Sequence, residues 1–286
     1  METLKYLLTE ALVSNEAEEI TKAIFDKIKN KNLDELASSG YLKKIPFTNQ
    51  MKKYEQENEK RRSIEYIYQR EITGPFNDYI EEKFKEKGMT FTKGIRIFLN
   101  LYTNLPEIDK YGLVDSKKGL KNKVIIIKLF TTKDKIVSSY RKHLFHEIVH
   151  TLDFIRSGLK RVNPNKSIKK DGDKTYAYIL DAMEKNAAIN TLANFKKKYP
   201  KRWENIFTFS DLISKMGISI FPIYRIHRDK LLADPKFYKP MLKRLYREDL
   251  IPQKMSMALN SNLTLAQIDN FKSWDSLIKK AKDLKK

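Results

Sequence analysis

The chain has 286 residues, enough to bury a sizeable core in one large domain or two modest ones. It contains no cysteine, which excludes disulfides and thiolate metal ligands. Its 57 Lys and Arg against 36 Asp and Glu leave a formal net charge of +21, an excess that favours nucleic acid, acidic proteins or anionic surfaces as neighbours.

The first ninety residues read as helices. Asn15 with Glu18 three positions later has the pattern of a capping box, and Ile20, Ala23, Ile24 and Ile28 supply one apolar face behind it. A second helix is expected from about Gln50 to Glu71, charged over Lys52–Arg62 and able to pack through Ile64, Tyr66, Ile67 and Tyr68. Pro75 suits the first turn of another, ending near Gly88. The middle third changes character: Ile95–Tyr102 and Lys123–Thr131 are β-rich runs of strand length, separated by turn-forming residues around Pro106, Gly112 and Gly119. One continuous helix is expected from Lys135 to Ser157, with Thr132 or Asp134 to cap it.

After Gly158 comes a loop rich in Lys, Asn, Asp and Gly through Asp173, then a helix from about Tyr176 to Lys198 that Tyr199-Pro200 closes. Short helices follow, with Pro222, Pro235, Pro240 and Pro252 as punctuation and a last amphipathic helix from about Thr264 to Leu284. The fold class expected is α+β, mostly helical with a small β-sheet. Residues 1–90 form a helical N-terminal region, 91–200 a core and 201–286 a helical C-terminal region. No stretch is long and apolar enough to span a membrane, and Met1–Leu12 lacks the basic start and apolar run of a signal peptide, so a cytoplasmic protein is expected.

The segment that carries chemistry is His146-Glu147-Ile148-Val149-His150, an H-E-x-x-H pentapeptide. Histidines four residues apart on a helix lie one above the other on one face, so both imidazoles reach one metal ion, and Glu147 borders that face as a general base. Val137, Tyr140, Leu144, Ile148, Leu152 and Ile155 form an apolar stripe at helical spacing, widened by Phe145 and Val149, which implies that much of this helix is buried. Two imidazoles and a carboxylate in such a setting are costly unless a partner such as Zn2+ satisfies them.

A catalytic zinc normally keeps three protein ligands and an open fourth position. The metzincin pattern, with a glycine and a third histidine after the second, is absent: Asp153 and Arg156 stand at those places. A downstream carboxylate or His227 remains. Glu184 is the choice, because Ala187 and Ala188 share its helical face and permit close approach to the metal helix. Asp153, one turn beyond His150, and Asp181, one turn before Glu184, are candidates to orient an imidazole. Tyr178, Tyr224 and His227 are candidates to donate to an oxyanion, while His143, one turn before His146, reads as a rim residue.

With His146-Glu147-Ile148-Val149-His150 followed by Tyr178-Ile179-Leu180-Asp181-Ala182-Met183-Glu184-Lys185-Asn186-Ala187, the chain resembles the gluzincin branch of the zincin metallopeptidases, and small bacterial and phage HExxH proteins whose second helix bears Glu-x-x-Ala. The resemblance covers about residues 120–195. It implies a zincin-like core, zinc ligands at His146, His150 and Glu184, a general base at Glu147 and, as in relatives of the lethal-factor toxins, an oxyanion-stabilising tyrosine near Tyr178, with Tyr176 as the fallback. The activity it implies is hydrolysis of a protein or peptide substrate, held against an edge strand that Val124–Phe130 is expected to supply. Lys160, Arg161, Lys166, Lys169 and Lys170, in the loop between the ligand helices, would favour acidic substrates. The rival expectation is a basic nucleic-acid-associated or virion protein that keeps the fold without the reaction.

Overall fold

The structure is a computed structural model, and it describes residues 13–47, 66–77, 95–102, 112–115, 124–131, 135–156, 182–216, 220–261 and 263–283. The fold class is α+β, helical for the most part with one small sheet. The chain forms two compact units, one of which includes Asn15–Arg161 and the other Val162–Lys286 with the short segment Glu10–Ser14.

The first unit opens with helix α1 (Ser14–Ile28), whose Ala17, Ile20, Ile24, Phe25 and Ile28 are buried, and the short helix α2 (Leu33–Ser38). α1 begins one residue ahead of the expected cap at Asn15. Asn32 caps α2, its Oδ1 accepting from the backbone N–H of Asp34 at 2.8 Å and of Glu35 at 3.3 Å. Strands β1 (Lys43–Pro46), β2 (Tyr66–Glu71), β3 (Arg96–Tyr102), β4 (Gly112–Asp115) and β5 (Val124–Phe130) form one sheet in the order β1-β2-β3-β5-β4. β3 and β5 pair in parallel, Ile97 against Ile125 and Leu99 against Ile127, and every other pairing is antiparallel. Parallel strands at the centre of a sheet are covered on both faces, which is why β5 reads as an uninterrupted apolar run, Val124-Ile125-Ile126-Ile127.

Four expectations are corrected here. Residues 66–71 are a strand rather than the end of a helix: pairing of Tyr66–Glu71 with β1 and β3 overrides the helical reading of a segment whose Tyr and Ile suit a pleated surface equally well. Because β2 and β3 are sheet neighbours on either side of residue 90, the first ninety residues are not a separate helical region. Gly112 lies in a strand, opposite Leu129, and not in a turn. β5 is flanked by β3 and β4 and is therefore no edge strand; among the described residues the edges are β1, protected by Lys43, Lys44 and Pro46, and β4.

The helix bearing the H-E-x-x-H residues, α3 (Arg141–Arg156), starts six residues later than Lys135. Lys135 and Ile136 instead bridge to Asn32 and Lys29, and the Asn30 N–H, from a residue at φ 58°, donates to the Ile136 carbonyl at 2.8 Å. A 3₁₀ turn at Ser138–Tyr140 then feeds α3, and Arg141 forms an ion pair with Glu18 of α1. These long-range ties hold the lead-in extended where local propensity alone favours helix. The suggested caps, Thr132 and Asp134, lie outside the described residues.

The second unit comprises α4 (Ala182–Lys198), α5 (Pro200–Trp203), α6 (Phe209–Lys215), α7 (Ile220–Ala233), α8 (Pro235–Arg247), α9 (Gln253–Leu259), α10 (Leu265–Asp269) and α11 (Trp274–Asp283). One apolar core runs through it, from Ala188, Ile189 and Leu192 of α4 to Phe237, Met241 and Leu245 of α8, so residue 200 marks no boundary. Pro240 lies inside α8. The expected last helix from Thr264 is two, α10 and α11, with the break at residues 270–273. No described helix is long and apolar enough to cross a membrane.

Asp269, at the end of α10, joins three helices. Its side chain is fully buried and accepts from the Ser210 N–H at 2.9 Å, the Ser210 hydroxyl, the Tyr224 hydroxyl at 3.1 Å and Arg228 Nε at 3.3 Å. Removing the carboxylate leaves those donors without their acceptor in a nearly dry setting. Asp269→Ala is expected to lower stability by about 3 kcal/mol, read as a reduced midpoint in urea unfolding with an unchanged slope.

Candidate metal centre

α3 is buried on every face from Leu144 to Ile155, because it packs on β4 and β5 and on the 3₁₀ turn before it. Leu144, Ile148 and Leu152 are fully buried, as the apolar stripe requires. The polar residues of the helix go in with them: His146 is 8% exposed, Glu147 7%, His150 7% and Asp153 1%. Four-residue spacing brings the two rings together edge to face, at 85° and 4.6 Å between centroids, with the Nε2 atoms 3.1 Å apart. Thr151, fully buried one turn after Glu147, returns its hydroxyl proton to the Glu147 carbonyl at 2.9 Å.

Glu184 stands on α4. The two imidazoles of α3 are donors that suit a metal ion. The fit can be tested on the imidazole pair. Two nitrogens bound to one tetrahedral zinc at about 2.0–2.1 Å stand roughly 3.3 Å apart. The 3.1 Å separation of the two Nε2 atoms matches that spacing, and two imidazoles with a carboxylate are zinc's donor chemistry when no thiolate is present.

The remaining expected residues fall in different places. Asp153 is buried on α3, so it is not a surface charge. Tyr176, Tyr178 and Asp181, and the lysines and Arg161 of the loop, lie outside the described residues. Tyr224 is fully buried in the second unit's core, where its hydroxyl donates to Asp269; that engagement makes it a structural group rather than an oxyanion donor. Burial, with the Asp269 carboxylate beside it, pushes the Tyr224 phenol far above its ordinary value. His227 sits at a kink in α7, with φ −111° and ψ 17°.

His143, half-buried one turn before His146, is driven down to about 4 by burial, with Lys142 and His146 adding repulsion. An unfolded histidine titrates near 6.5, so between pH 6.5 and 4 the unfolded chain takes up a proton at this position that the folded chain refuses. The stability contribution is full above about pH 6.5 and is lost as the pH falls towards 4.

Sequence reasoning missed a buried polar chain on α4. Arg244 of α8 donates through Nη2 to Asn186 Oδ1, Asn190 Nδ2 donates to the Asn186 carbonyl at 2.9 Å, and Asn190 Oδ1 accepts from the Val13 N–H at 2.6 Å. The available signal was the pair of asparagines four residues apart among Ala187, Ala188 and Ile189, where polar side chains fall on an otherwise apolar face. Ala188, expected to ease helix approach, packs in the second unit's core.

Comparison with protein-family models, with curated proteins and with solved structures finds no match. Two consequences of the site can be measured directly. In chelator-treated protein, the His143 ring protons should shift in an NMR titration only below about pH 5, and His143→Gln should flatten the fall in stability between pH 6.5 and 4.

Proposed function

We propose that this chain is a zinc-dependent metallopeptidase, with His146, His150 and Glu184 as the metal ligands and Glu147 as the general base. The observation that supports it is the buried imidazole pair, its Nε2 atoms 3.1 Å apart, with the Glu147 carboxylate buried on the same helix. A hydrogen bond between the two rings accounts for the separation alone. It does not account for a further ionisable residue, Glu147, buried beside them in an H-E-x-x-H pattern.

A zinc ion held there supplies Lewis acidity and lowers the pKa of water towards neutrality. The chain's own residues do the rest. Glu147 is adjacent in sequence to His146 and 7% exposed, so its carboxylate works in a low-dielectric setting where it takes a proton from water and returns it to the leaving amine nitrogen. Asp153, at 1% exposure on the same helix one turn past His150, is the group suited to fixing an imidazole's orientation. The strand available for an extended peptide is β4, the sheet edge against which α3 packs, in place of β5.

Metal analysis of the purified protein tests the ligand set. Near-stoichiometric zinc is expected in the wild type, with loss in His146→Ala and in Glu184→Ala; retention in Glu184→Ala would move the third ligand elsewhere. For the base, Glu147→Gln is expected to keep the metal and lower kcat for a peptide substrate by at least about a hundredfold. Equal turnover by the metal-loaded variant would refute that role.

A further inference from the structure

The second unit carries a charged ridge that the metal centre does not use. Between Lys185 and Trp203 the sequence holds six cations and no carboxylate, and five of the six fall in the eight residues Lys196–Trp203. Those residues form the end of α4, the corner at Tyr199 and the whole of α5. Lysines in the last turn of a helix complement its carbonyl end, and Lys196–Lys198 are accounted for in that way. Lys201 and Arg202 lie past that end, on α5.

Lys196 is also engaged by Asp249, through Nζ contacts of 2.7 Å to the carboxylate and 2.6 Å to the carbonyl, and its charge is thereby committed within the chain. Lys197, Lys198, Lys201 and Arg202 are exposed. Among them Tyr199 keeps 46% of its surface in solvent, although Trp203, four residues on, is buried at 6%. The Tyr199 ring is braced by Phe195, 5.2 Å away between centroids, and by Arg202, whose guanidinium carbon is 5.4 Å from the ring centre. A recess of about 460 Å³ adjoins the corner, lined by Lys197, Pro200 and Trp203 and by the carboxylates of Glu204 and Glu248.

We propose that this corner binds single-stranded nucleic acid, with Lys197, Lys198, Lys201 and Arg202 meeting successive phosphates and the Tyr199 ring stacking a base. Positive charge alone serves any polyanion. A braced, half-exposed aromatic ring set among the cations fits a ligand that carries a π-face beside each negative charge, and it suits a strand whose bases are unpaired.

The test uses the full chain and a fluorescein-labelled oligo(dT) of about 20 nucleotides, followed by anisotropy over a range of salt concentrations. A variant with Lys197, Lys198, Lys201 and Arg202 all changed to Gln is expected to lose most of the affinity. Its slope of log affinity against log salt should be shallower by about 3, at roughly 0.7 per phosphate for single strands. Tyr199→Ala is expected to weaken binding about tenfold with the slope unchanged, and Tyr199→Phe to restore it. All the substituted side chains are exposed, and circular dichroism melting checks that each variant folds. Wild-type affinity and slope in the quadruple variant would overturn the assignment. So would an unaffected Tyr199→Ala together with polyglutamate competing as well as unlabelled oligonucleotide, a result that makes the ridge a surface for acidic protein.

Discussion

Burial of polar side chains on α3 is the constraint to which the candidate site answers. A helix that is buried on every face from Leu144 to Ile155 and yet carries two imidazoles and two carboxylates within eight residues cannot leave them unsatisfied, since each uncompensated group costs several kcal/mol or gives up its charge. The apolar residues between them, Leu144, Ile148 and Leu152, oblige the helix to be buried. The same burial that stabilises the helix therefore holds His146 and His150 together, their Nε2 atoms 3.1 Å apart.

The first unit shows how such a helix is held. β3 and β5 form a parallel pair at the sheet's centre, and α3 packs on β5 and on the edge strand β4. Its lead-in is fastened at residues separated by more than a hundred positions in sequence: the bridges from Lys29 and Asn32, the Asn30 N–H and the Glu18–Arg141 ion pair. An ion pair at this degree of exposure adds little stability by itself. Its value lies in direction, because it fixes where the first turn of α3 begins.

The second unit answers to the same rule with different groups. Asp269 is buried and takes donors from α6 and α7, while Arg244, Asn186 and Asn190 form a chain through the core that ends on the Val13 backbone. Networks of this kind specify one packing arrangement, since any shift leaves several buried groups unpaired at once. They also explain why α4, a helix with a weakly patterned sequence, has a defined inner face.

Much of this was legible in the residues alone. The spacing of His146 and His150 brings two rings to one face of any helix, and the apolar repeat around them is enough to require burial, because both follow from 3.6 residues per turn. The runs at Ile95–Tyr102 and Val124–Phe130 are strands for an equally local reason, their β-branched and aromatic content. What the sequence did not determine was everything fixed by distant partners. Tyr66–Glu71 became a strand because β1 and β3 pair with it, and Lys135–Val137 stayed extended because α1 and α2 reach across to it. Which strand forms the edge and which tyrosine is locked onto a buried carboxylate are likewise matters of tertiary structure. Each depends on contacts between residues far apart in the chain, and neither composition nor period encodes such contacts.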